Sequence, residues 1–144
     1  MEELNLDQFR HRASVPLRFC DFDMLGHINN AVYLQLMDVA KAKYFSDITG
    51  KTPDPKGACP VVANINLNFE CPTLPGESLD ILTRTSHIGT KSITIEQVAV
   101  NQKTQQVKCR ATVIMVNLDL TTGSTIEITQ ADREAISSFE GSSL

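Results

Sequence analysis

The run from Asn30 to about Phe45 or Ser46 is helical in pattern and apolar almost all the way round. Val32, Tyr33, Leu34, Leu36, Met37, Val39, Ala40, Ala42, Tyr44 and Phe45 leave only a narrow polar stripe through Gln35, Asp38 and Lys41. A helix on the surface of a globular protein shows a wide polar face, so this one is expected inside a core. Asn29 is placed to cap its start, and Gly50 stands just past its end.

Around that helix the period changes. Residues 13 to 20 read as a first strand, followed by a polar turn from Asp21 to Asn29. Residues 64 to 69 alternate strictly, and Val107, Cys109, Ala111, Val113 and Met115 share one face of another strand. Residues 78 to 88 and 91 to 101 supply two more. In the second of these the apolar phase slips from Ile93 and Ile95 to Val98 and Val100, which predicts a one-residue bulge near Gln97. Thr129 with Asp132 three residues on opens a terminal helix through Ser138. The breaks between these elements, among them Thr49-Gly50, Pro53-Asp54-Pro55, Pro75-Gly76, Gly89 and Thr122-Gly123, are too short to be linkers. The 144 residues are therefore expected to form one α+β domain over 1–144, a curved antiparallel sheet wrapped around a long central helix.

Composition narrows the function classes. With 42% hydrophobic and 21% charged residues the chain is neither disordered nor membrane-spanning in type. Its 17 acidic against 13 basic residues give a net charge of −4, so no protein-wide positive field would gather nucleic acid or anionic lipid. Cys20, Cys59, Cys71 and Cys109 have neither C-x-x-C nor Cys/His ligand spacing, and are expected to be buried free thiols in a reducing compartment. No metal site is expected. The polar N-terminal segment lacks a secretory core, which makes the cytoplasm the expected location.

One cluster carries chemistry. Residues 18 to 30, Arg-Phe-Cys-Asp-Phe-Asp-Met-Leu-Gly-His-Ile-Asn-Asn, put two carboxylates, an imidazole and two amides in the turn that enters the central helix. Unpaired N–H groups and the macrodipole at a helix N-terminus favour negative charge, as on a developing oxyanion. A carbonyl docked there would be polarised by an N–H near Asn30, while Asp23 could attack it or activate water, and Gly26 would permit the tight turn between them. The bland alternative is an Asp-rich turn in which Asn29 only caps and His27 bonds a nearby backbone group. Asp21 fits the bland reading, as a turn residue or a partner for Arg18. His87 reads as a surface strand residue and Glu70 as an exposed strand end, with a second acid near the site as the alternative.

The motifs R-F-x-D-x-D-x-x-G-H-I-N-N-A-x-Y at 18 to 33 and F-x-x-P-x-x-x-G-E at 69 to 77, with the Lys91-Ser92 strand start, resemble the hotdog-fold thioesterases of the 4-hydroxybenzoyl-CoA thioesterase type and the related acyl-ACP thioesterases. The resemblance implies a hotdog fold that hydrolyses an acyl-CoA thioester with no cofactor beyond coenzyme A as part of the substrate. It implies Asp23 as catalytic carboxylate, His27 beside it and the oxyanion N–H near Asn30. Gly26, Tyr33, Lys91 and Ser92 are expected to bind substrate, Lys91 meeting the phosphates of coenzyme A. Where the acyl-ACP branch carries an asparagine, this chain has Leu25. A homodimer or tetramer is implied, with each active site drawing on two subunits. The alternatives are an acyl-ACP thioesterase, in which Lys91 would face the acidic carrier, and a non-catalytic module that binds an acyl thioester. The dehydratases of the same fold carry an H-F-P-G segment that is missing here.

Overall fold

The computed structural model describes residues 3–52, 54 and 56–144, so Pro53 and Pro55 of the expected Pro53-Asp54-Pro55 break, like Met1 and Glu2, lie outside the described residues. The elements run β1 (His11–Val15), α1 (Asn30–Thr49), β2 (Ala58–Phe69), β3 (Leu79–Ile88), β4 (Ser92–Asn101), β5 (Val107–Asp119) and α2 (Gln130–Glu140). The five strands form one antiparallel sheet in the order β1-β3-β4-β5-β2. With α1 packed on that sheet this is the expected hotdog arrangement.

The helix caps follow the sequence closely. The Asn29 side chain accepts the Ala31 N–H, and Gly50 takes the left-handed φ of 69° with its N–H on the Ser46 carbonyl. The helix runs to Thr49, three residues past Ser46. Polar contacts tie α1 to its surroundings: the Tyr33 hydroxyl pairs with that of Thr73 at 2.8 Å, Gln97 Nε2 donates to the Met37 carbonyl at 3.0 Å, and the Tyr44 hydroxyl meets Thr85 at 2.7 Å and donates to Glu140. These leave almost no buried polar atom of the helix face unpaired, as a close-packed interior requires.

Several expectations are corrected. The first strand occupies His11–Val15 and not 13 to 20, because Pro16 ends it and Phe19–Asp21 wind into a 3₁₀ turn. β2 begins at Ala58, well before Asn64; an extra residue, Ala63, between Val62 opposite Met115 and Asn64 opposite Ile114 breaks the alternation ahead of it. No bulge lies at Gln97 itself, which pairs in register with Thr83 and Ala111; the nearest register shift falls between Ala99 and Val100, where Lys108 of β5 is the extra residue. The phase slips in β4 because both its faces are buried. Ile93, Ile95 and Ala99 face the core under α1, while Val98 and Val100 pack with Leu82 and Phe9 beneath the N-terminal segment. Thr129 caps α2 as expected, and the helix extends two residues past Ser138.

Two burial expectations also change. In the single chain α1 buries one face only, through Tyr33, Leu36, Met37, Ala40, Lys41 and Tyr44, and Val39 is 63% exposed. All four cysteines are free, but only Cys109 is buried, and burial pushes its thiol up to about 12. No helix among the described residues is long and apolar enough to cross a membrane.

Candidate active site

The turn between β1 and α1 is built from the inside out. Asp21 is 1% exposed; its carboxylate accepts the Arg18 backbone N–H at 2.7 Å and Arg18 Nη2 at 2.8 Å, and its carbonyl accepts the Asn29 N–H at 3.0 Å. The Arg18 hydrogen bonds hold this carboxyl below the usual carboxylate range. Asp21 is thus a scaffold for the turn. A carboxyl whose pKa falls on folding stabilises the fold at pH values above the unfolded-state value, and that contribution disappears as pH drops through the folded value. Asp21→Asn is therefore expected to destabilise the protein by about 1–3 kcal/mol at pH 7, the scale for leaving buried donors without an acceptor. In urea titrations the gap to wild type should begin to shrink as pH falls below the unfolded-state carboxyl value of about 4, and close once pH has passed the lower folded value.

Outside Asp21 the chain folds back on itself. Phe22 and Ile28 form an isolated antiparallel bridge, the Asp23 N–H donates to the His27 carbonyl at 3.1 Å, and the Gly26 N–H closes the turn on the Asp23 carbonyl at 3.1 Å. Gly26 has φ of +80°, a conformation that costs glycine little. Asp23 Oδ1 accepts the Leu25 N–H at 2.9 Å, and Met24 and Leu25 stand exposed at the tip. Asp23 and His27 are therefore a facing pair across a tight hairpin. The Ile28 N–H donates to the Thr73 carbonyl at 3.0 Å, which docks the hairpin against the loop after β2.

The helix start then presents one free donor. Asn29 Oδ1 takes the Ala31 N–H and the Asn29 carbonyl takes the Val32 N–H, both at 2.9 Å, while the N–H of Asn30, the first helical residue, has no acceptor among the described residues. It sits at the positive end of a 20-residue helix. A pocket of about 250 Å³ opens here, with His27, Ile28, Asn30 and Tyr33 on one wall and residues 69–72 on the other. The rings of Tyr33 and Phe69 meet at 5.7 Å across it.

Of the predicted site residues, His27, Asn30 and Tyr33 line this pocket, while Asp23 and Gly26 belong to the adjoining hairpin. Lys91 and Ser92 do not join them. They lie in the tight turn closed by the Gly89 N–H on the Ser92 carbonyl at 2.8 Å. Phe69 pairs with Cys109 and Cys109 with Ala99, seven residues along β4 from Ser92. At about 3.3 Å per residue and 4.8 Å per strand, Ser92 is roughly 25 Å from Phe69 within one chain.

Glu70 fits both of its readings: it is exposed just past the end of β2, and it also lines the pocket, where it pairs with Arg110. Cys71 is absent from the expected binding set, whereas the sequence already puts Phe69 with Tyr33 and Met37 around the acyl chain; the register of β2, which carries its C-terminal end past the helix start, is the signal that places both Phe69 and Cys71. His87 is exposed, as read. A larger hollow of about 460 Å³ lies between the N-terminal segment and the sheet, lined by none of the predicted site residues. Its arginines, Arg84 and Arg110, are paired with Glu96 and Glu70. Among the described residues no group of three or more His, Cys, Asp or Glu is placed to hold a metal ion.

The fold is shared with known proteins. A thioesterase from Thermus thermophilus, solved in complex with coenzyme A and Zn, is 30% identical, with a TM-score of 0.83 over 96% of this chain and 99% of that one. YbaW, a probable thioesterase from Escherichia coli, shares the fold at 24% identity and a TM-score of 0.73, covering 88% of this chain and 96% of its own. The uncharacterized protein YsmA of Bacillus subtilis (strain 168) is 26% identical over 122 residues, 85% of this chain and 82% of YsmA. The family model for the thioesterase-like superfamily matches residues 17–136, and to that superfamily the chain belongs.

Proposed function

We propose that the protein hydrolyses an acyl-CoA thioester to the free acid and coenzyme A. The observation that carries this is the unpaired Asn30 N–H at the N-terminus of α1, opening into a pocket beside the Asp23–His27 hairpin. The thioester carbonyl would accept from that N–H, which is aimed where negative charge develops. Asp23 would take a proton from water as its oxygen bonds the acyl carbon. The C–S bond then breaks, and the thiolate, an easy leaving group with a pKa of about 8.5, receives the proton. Membership of the superfamily supports thioester hydrolysis as the reaction class, and the coenzyme A complex of the Thermus thermophilus relative supports that carrier. A panel of acyl-CoA esters followed by thiol release, blanked for the exposed Cys20, tests the reading; no turnover of any member defeats it.

The working unit is a pair of subunits. β2 is twelve residues long, and its outer edge has no partner among the described residues. Such an edge invites pairing with a second copy. Val62, Ile65 and Phe69 on β2 and Val39 on α1 are exposed apolar side chains that a second copy would cover. An antiparallel two-fold pairing of β2 edges brings the strand's start beside its partner's end. Val61 pairs with Val116 and Val116 with Ser92, so the partner subunit's Ser92 would come within about 15 Å of Phe69, three strand spacings away. That is closer than the chain's own Ser92, and it returns Lys91 to the site from the second subunit. Light scattering should show a dimer or larger. Lys91→Ala should raise KM for acyl-CoA about threefold or more at low salt with kcat nearly unchanged, the signature of a contact made equally in ground and transition states.

A further inference from the structure

The pocket at the helix start is shallow along the helix. On α1 its lining reaches Tyr33 and stops; Met37, about one turn further on, is 3% exposed and packed in the core. Tyr33 is held in place twice. Its hydroxyl pairs at 2.8 Å with that of Thr73, which is fully buried, and its ring meets Phe69 at a tilt of 54°. Deeper in, Gln97 is 1% exposed and bridges the Met37 carbonyl and Thr83 Oγ1 at 3.0 and 3.1 Å, so helix and sheet are stitched together where a long tunnel would have to run.

We infer that Tyr33, locked by Thr73, is the end wall of the acyl site along α1 and makes the enzyme favour short acyl groups such as hexanoyl over long ones such as dodecanoyl. This rests on the thioesterase reading above and deepens it. On the α1 side the pocket ends at Tyr33, three residues or about 4.5 Å of helix rise from the Asn30 N–H that would hold the carbonyl. A longer chain would have to push Tyr33 aside and leave two buried hydroxyls unpaired, which a close-packed interior resists.

The test compares kcat/KM for hexanoyl-CoA and dodecanoyl-CoA in wild type, Tyr33→Ala and Thr73→Val, with Tyr33→Leu as the milder truncation if the alanine variant does not fold. Wild type should favour hexanoyl-CoA by at least about tenfold, the low end of what a few methylenes decide in an apolar pocket. Tyr33→Ala opens space toward Ala99 and Cys109 of the same buried cluster and should swing the ratio toward dodecanoyl-CoA by a similar factor. Thr73→Val, which keeps the ring but frees its hydroxyl, should move it part of the way. Wild-type preference for dodecanoyl-CoA, or equal losses on both esters in the Tyr33 variants, overturns the inference. The thioethers S-hexyl-CoA and S-dodecyl-CoA separate it from the hydrolysis reading, because their binding needs no turnover. If neither ester is cleaved yet only S-hexyl-CoA raises the melting temperature, hydrolysis falls and the end wall stands; a rise at least as large with S-dodecyl-CoA defeats the end wall, and no rise with either defeats both.

Discussion

Asp23→Asn is expected to lower kcat at least about 10²-fold while the protein stays folded, the scale for removing a general base from a reaction that depends on it. The geometry makes this a clean experiment. Asp23 Oδ1 accepts the Leu25 N–H, a bond the asparagine oxygen can keep, and the hairpin is otherwise closed by backbone bonds from Asp23 and Gly26. The variant thus removes charge and leaves the turn. Glu70 is the competing carboxylate, because it lines the pocket that Asp23 only adjoins. Its carboxylate is already engaged by the Arg110 guanidinium, whereas among the described residues Asp23 meets a single backbone N–H and keeps an oxygen for the attacking water. Glu70→Gln is therefore expected to cost less than about tenfold in kcat. Both variants would be compared at matched folding by circular dichroism. If Glu70→Gln proves the more damaging, the base is Glu70 and the assignment of Asp23 fails.

How far the sequence reads through to this site depends on how local each signal is. The hairpin and helix start lie within the sixteen residues of the 18 to 33 motif, where Asn29, Gly26 and the paired aspartates act on neighbours a few positions away. Caps such as Asn29 and Gly50 are legible for the same reason. The opposite wall is different. Phe69 and Glu70 reach the pocket only because β2 pairs with β5 in one register, and Ala63, the extra residue that helps set it, interrupts the alternation that would have announced the strand. In β4 the apolar phase reports burial without saying by what; Val98 and Val100 are covered by Phe9 and its neighbours from a segment some ninety residues earlier, and the register shift between Ala99 and Val100 comes after the phase has already slipped. The all-round apolar helix is a related case. Its composition records that all but a narrow stripe is apolar, but Val39 and Leu34 remain exposed in one chain, and a second copy is the partner we propose for them.

The other large effect is expected at Asn30, where backbone and side chain can be separated. The proposed oxyanion donor is the Asn30 N–H, which has no acceptor among the described residues, and the side chain is exposed. Asn30→Ala should keep most of the activity. Proline at this position, set against alanine, adds the loss of the N–H. Asn30 is the first residue of α1, where the fixed φ of proline suits the helix and no internal hydrogen bond is lost. The residue before it also fits, because Asn29 has φ −60° and ψ 137°, inside the extended region that a following proline demands. The Asn29 cap on Ala31 would remain. Asn30→Pro should therefore fold and dimerise like wild type yet lose about 10² to 10³ in kcat, the cost of one oxyanion donor in a preorganised site. Because the donor acts on charge that develops during the reaction, KM should move far less than kcat. Equal damage from alanine and proline would make the amide side chain the functional group, and near-wild-type rates in both would place the oxyanion site away from the start of α1.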